Sequence, residues 1–142
     1  MTKREDLPMR RAAETFDIEF SGVKVTVSFG YYDDGRPGEV FVASTKTGTA
    51  VDTMARDSAV LVSLALQYGV TPQVLERALM ADAHGRPEGF AGKIAHILKE
   101  ETGNGRTHRS HRNARARRMG RHRMARRHYG RKLAGQRRLL LA

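Results

Sequence analysis

Residues 16–29 read Phe16-Asp17-Ile18-Glu19-Phe20-Ser21-Gly22-Val23-Lys24-Val25-Thr26-Val27-Ser28-Phe29. Apolar side chains occupy every second position on both sides of Ser21-Gly22, and a period of two puts them on one face of an extended chain. A Ser-Gly pair between two such runs is turn chemistry, so the stretch predicts two half-buried antiparallel strands joined tightly. Downstream, Asp33-Asp34-Gly35-Arg36-Pro37-Gly38 is dense in turn formers and leads into the β-prone run Glu39-Val40-Phe41-Val42-Ala43. The expected sheet is a small antiparallel three-stranded meander.

From Asp52 the period changes. Met54, Ala55, Ala59, Val62, Ala65 and Leu66 recur at helical spacing, and Val60, Leu61 and Leu64 are apolar as well. A helix apolar on nearly every side is expected to bury its second half in the middle of the fold. Gly69 suits the left-handed residue that ends such a helix, and Thr71-Pro72 supplies a capping hydroxyl followed by proline at the first position of the next. In that second helix Val74, Leu75, Ala78 and Leu79 form an apolar stripe, with Gln73, Glu76 and Arg77 toward water. A loop over residues 82–89 precedes a short third helix marked by Ile94, Ile97 and Leu98. Strands first and two to three helices afterwards predict an α+β fold.

Charge divides the chain. All 15 acidic residues lie between Glu5 and Glu101, so residues 1–101 carry a net charge of −3, while residues 102–142 carry +14 and no carboxylate. The expected organisation is a flexible N-terminal segment (1–14), an α+β domain (15–101) and an Arg-rich disordered tail (102–142). There is no cysteine in these 142 residues, which removes disulfides, thiolate metal sites and a nucleophilic or redox-active thiol of their own. The N-terminal stretch has positive charge without a following apolar run, so it does not read as a secretory signal. The longest apolar stretch, Ala59 to Leu66, is far below the roughly 18–20 residues of a membrane span. A cytoplasmic protein with no membrane partner is expected.

Asp34-Gly35-Arg36-Pro37, then Glu39-Val40-Phe41, then Gly48, then Ser63-Leu64-Ala65-Leu66-Gln67-Tyr68-Gly69-Val70 form an ordered series of motifs. This order resembles the TSCPD domain, found near the C-terminus of many adenosylcobalamin-dependent (class II) ribonucleotide reductases and as short free-standing bacterial proteins. The resemblance covers roughly residues 16–98 and is most specific in the helix ending Leu-Gln-Tyr-Gly. It implies association with deoxyribonucleotide synthesis, a ribonucleotide reductase catalytic protein as partner, and adenosylcobalamin only through that partner, with no cofactor bound by this chain. Reduction in that family needs a cysteine thiyl radical, a reducing cysteine pair and a cysteine-bearing tail, within a barrel several times larger than this chain. The Thr-Ser-Cys-Pro-Asp motif that names the domain is also missing. The resemblance therefore implies an accessory or regulatory role, and no catalytic residue is carried over.

Other constellations are thin. His84 and His96 lack a nucleophile or carboxylate at a diagnostic spacing. Gly30, Gly35, Gly38 and Gly48 do not follow the strand, Gly-x-Gly-x-x-Gly, helix order of a phosphate-binding fingerprint. Asp52, Arg56 and Asp57 read as a solvated first helical turn. Gln67 and Tyr68 place hydrogen-bonding groups at the exit of an apolar helix. They either bond nearby loop backbone or form, with Glu39, a contact surface for a reductase core.

The tail offers Arg106, Arg109, Arg112, Arg115, Arg117, Arg118, Arg121, Arg123, Arg126, Arg127, Arg131 and Lys132 to phosphates. Sequence-nonspecific nucleic-acid binding is the alternative function. About six to ten phosphate contacts make affinity fall by roughly 10³ to 10⁵ between about 50 and 200 mM salt. A solvated appendage with no partner is the competing reading. The pairs His108/His111 and His122/His128 lack carboxylate or thiolate help, so no metal site is expected there.

Overall fold

Ser21 and Gly22 adopt positive φ angles of 49° and 71°, the two left-handed residues that a primed two-residue hairpin demands. They join β1 (Ala13–Phe20) to β2 (Val23–Tyr31), with Phe20 paired to Val23 across the turn. A second turn, closed by Tyr32 N–H to the Arg36 carbonyl at 2.8 Å and opened to positive φ at Gly35, leads into β3 (Pro37–Ser44). The computed structural model describes residues 3–103. Its sheet is antiparallel in the order β1-β2-β3, as the alternation predicts, with an irregularity between Gly30 and Tyr31.

Three helices follow: α1 (Ala50–Gln67), α2 (Pro72–Ala78) and α3 (Phe90–Gly103). The inward-facing Val23, Val25, Val27, Phe29 and Tyr31 of β2 form the floor of the core. Ala55, Ala59, Val62 and Leu66 of α1 and Phe90, Ile94 and Leu98 of α3 close it from above. Edge-to-face ring pairs, Phe16 with Phe29 at 5.1 Å and Phe20 with Phe90 at 5.2 Å, tie β1 into that layer.

The helix ends follow local chemistry. Thr49 Oγ1 accepts from the Asp52 N–H at 3.2 Å, while Asp52 Oδ2 accepts from the Gly48 N–H at 3.1 Å. Asp52 is 5% exposed, so the solvated turn expected from sequence is instead a reciprocal cap, extended by Arg56 Nε at 2.9 Å. Gly69 has φ 89°, and Thr71 caps α2 with Pro72 in its first turn, as read from sequence.

The expectation changes for each of the three helices. The second half of α1 is not buried all round, because Val60, Leu61, Leu64 and Tyr68 remain exposed. The α2 stripe is only partly covered: Leu75 is half-buried, whereas Val74 and Ala78 are exposed. The third helix begins at Phe90, directly after the expected loop, but its 14 residues make it longer than the short helix expected. The stretch expected to be a flexible N-terminal segment enters β1 at Ala13, and its earlier residues bond to the domain. Glu5 N–H donates to the Gln67 carbonyl at 2.9 Å, and Tyr32 Oη donates to the Glu5 carbonyl at 2.8 Å. Arg36 Nη2 reaches both Glu5 oxygens at 2.9 and 3.0 Å. Those contacts, with Asp34 next, raise the guanidinium pKa further.

Candidate functional site

The helix α1 lies along β3, and two of its side chains a turn apart satisfy that strand's backbone. Ser63 Oγ accepts from the Val40 N–H at 2.8 Å and donates to the Ala59 carbonyl at 2.7 Å. Gln67 Nε2 donates to the Gly38 carbonyl at 3.0 Å, and Gln67 Oε1 accepts from Arg4 Nε at 2.6 Å. Gln67 is 6% exposed. Burial, together with an internal partner at each end, holds this amide inside the fold rather than presenting it on the surface. Its partners are the backbone of β3 and the side chain of Arg4, not the neighbouring loop backbone that the sequence suggested.

Glu39 is also buried. Strand alternation puts it on the opposite sheet face from Val40, across from Gly30, where its Oε1 accepts from Arg11 Nε. Gly30 is required there, since a Cβ would stand 2.6 Å from Glu39 Cγ. Tyr68, the C-terminal cap residue of α1, is 48% exposed. The structure therefore does not assemble Glu39, Gln67 and Tyr68 into one site: two are internal ties on different sides of β3, and one is free on the surface.

Two exposed surfaces on the sheet and on α1 stand out among the described residues. On the outer sheet face Thr15 bonds Ser28 at 2.7 Å, and Asp17 bonds Thr26 at 2.6 Å and Lys24 at 2.8 Å. Lys24 and then Thr26 hold the Asp17 carboxyl below its ordinary pKa. Beside this polar ladder Phe41 is 59% exposed. The other surface lies along α1. Ala55, Ala59, Val62 and Leu66 define its core side, and at 100° per residue Asp57, Leu61, Leu64 and Tyr68 fall diametrically opposite. Met54 extends that stripe at one end and Val60 flanks it, both exposed.

A polar cluster that the sequence spacing did not signal joins α2 to α3. Glu76 accepts from Lys99 Nζ at 2.6 Å and bonds His96 Nδ1 at 2.6 Å, and His96 Nε2 lies 3.4 Å from Glu100. Lys99 first and His96 second lower the Glu76 pKa. With a carboxylate at each ring nitrogen, His96 is an inter-helix tie, and among the described residues no hydroxyl nucleophile is bonded to it. Among the described residues no group of three or more metal-binding side chains is arranged to hold an ion. The basic residues from Arg106 to Lys132 and His108, His111, His122 and His128 lie outside the described residues.

The profile of the TSCPD domain matches residues 3–102, which hold the whole sheet and nearly all of the three helices. The chain belongs to the TSCPD domain family. This TSCPD domain is 44% identical over 70 residues to a vitamin B12-dependent ribonucleotide reductase of Bradyrhizobium diazoefficiens, covering 49% of this chain and 6% of that protein. The like-named protein of Agrobacterium fabrum is 43% identical over 68 residues, covering 48% and 5%. That of Rhodopirellula baltica is 34% identical over 73 residues, covering 51% and 7%. The chain thus spans only a small part of the length of the relatives it matches. No solved structure matches it. In this TSCPD domain the eponymous cysteine motif is missing, and among its described residues no helix is long and apolar enough to cross a membrane.

Proposed function

We propose that this chain is an accessory or regulatory protein of ribonucleotide reduction in deoxyribonucleotide synthesis. It acts by docking on a reductase, and that reductase, not this chain, holds adenosylcobalamin. One observation carries the reading: the family match extends over the whole α+β domain, while the 142 residues contain no thiol for radical or redox chemistry. What the domain shares with the larger reductases is a shape and a surface. We place the contact on the outer sheet face around Phe41, because Glu39 and Gln67 are engaged internally and Phe41 is a large apolar side chain in a polar, hydrogen-bonded surround. The full chain mixed with a cobalamin-dependent reductase from the same cell should co-elute with it, and Phe41→Ala should weaken the complex. Separate elution, with no kinetic effect on the reductase, contradicts the reading.

A second reading rests on charge alone. Residues 102–142 carry +14, and such a segment binds phosphates through arginine forks and counterion release without reading sequence. Truncation after Glu101 should then abolish DNA or RNA binding, and full affinity in the truncated chain excludes the segment's role.

A further inference from the structure

The stripe Met54, Asp57, Leu61, Leu64, Tyr68 advances by alternate steps of three and four, the spacing with which one helix meets another along a seam. It lies on the side of α1 away from the core, and its apolar members are 59%, 67%, 37% and 48% exposed in chain order. From Ser58 to Tyr68 the helix carries no charged residue. An exposed apolar seam on a helix otherwise well tied to its domain is an interaction surface. Charge and hydrogen-bonding complementarity decide what covers it.

Asp57 is the single charge within the seam. In a parallel pairing of two copies of α1 it would meet its own counterpart, and two carboxylates face to face repel. In an antiparallel pairing that sets Leu61 over Leu64 of the other copy, Asp57 falls opposite the other copy's Tyr68. There the phenol donates to the carboxylate, twice by symmetry. Small side chains at Ser58 and Ala65 on one flank allow close approach, and Val60 adds apolar cover on the other. The seam is thus complementary to itself in this antiparallel register.

We propose that two copies of this chain associate through antiparallel packing of α1 about a two-fold axis, with Leu61–Leu64 layers at the centre and Asp57–Tyr68 pairs at each end. This is an isologous interface, in which one patch serves both subunits. It leaves the outer sheet face free in each subunit. The dimer does not depend on which reductase the chain serves.

The full chain should sediment as a concentration-dependent dimer. Leu61→Asp, at a position 67% exposed, should shift it to monomer and remove the concentration dependence of the thermal unfolding midpoint, leaving it at the value the parent shows once diluted to monomer. Register is read by disulfide formation, since the background has no cysteine. Residues 57 and 68 are eleven apart, so in the antiparallel register like positions stand about 16 Å from each other, too far to bridge, whereas 57 and 68 adjoin. Asp57→Cys alone and Tyr68→Cys alone should give no covalent dimer under mild oxidation, and an equimolar mixture should give one. A monomer at every concentration, a dimer indifferent to Leu61→Asp, or self-linked Asp57→Cys each overturns the proposal. A monomer whose reductase binding is lost in Leu61→Asp overturns it too, and assigns the seam to the reductase.

Discussion

Gly30 of β2 and Glu39 of β3 are paired across the sheet, and the missing side chain of the first makes the space occupied by the second. Both Glu39 Cγ and its carboxylate lie within what would be the shell of a Cβ at position 30. Gly30→Ala must therefore push Glu39 off Arg11 or shift the strands, at a cost of about 1–3 kcal/mol. Removing the obstruction should recover much of this: in the double variant Gly30→Ala/Glu39→Ala the two effects should be far from additive. Urea unfolding of the four proteins measures the coupling. Simple additivity would show that the two side chains do not compete for that space.

Ser63 and Gln67 should behave alike, as ties between α1 and the free edge of β3. Ser63→Ala leaves the Val40 N–H unmatched, and Gln67→Leu does the same to the Gly38 carbonyl. Each should lower stability by about 1–3 kcal/mol, the cost of an abandoned buried polar group. Neither should change association with a reductase once compared at a temperature where all proteins are folded. A Gln67→Leu variant with unaltered stability and lost association would restore Gln67 as a contact residue.

The α2–α3 junction sets an acid-limb signature. Lys99, then His96, hold the folded-state pKa of Glu76 below its ordinary value. A carboxylate with a lowered folded pKa contributes stability that is complete above its unfolded pKa and disappears as pH falls through the folded one. Glu76→Gln should therefore be less stable than the parent at neutral pH. The gap should close only below the usual carboxylate range. Denaturant midpoints for both proteins across that range test this, and a gap that stays constant to low pH would remove Glu76 from the ionic tie.

Much of this architecture is legible locally. Alternation from Phe16 to Phe29 places the β-hairpin, and the Thr71-Pro72 pair fixes the start of α2, because both depend on residues next to each other in sequence. Long-range geometry hides the rest. Gln67 meets Gly38 and Arg4, 29 and 63 residues away, and His96 meets Glu76, 20 residues away; no spacing rule announces such pairs. The direction of α1 was equally hidden. An apolar residue at almost every position from Ala59 to Leu66 leaves the periodicity without a preferred face. Ser63 and Gln67, turned toward β3, determine which side meets the sheet and which carries Leu61 and Leu64 outward.

We propose that kinship with a radical enzyme is here one of domain and surface, with no thiol chemistry in the chain itself. The direct test is ribonucleotide turnover by the purified 142-residue chain, alone and added to a cobalamin-dependent reductase from the same cell. The expected result is none alone and a changed rate for the reductase in its presence. Deoxyribonucleotide formation by the isolated chain would contradict this outright.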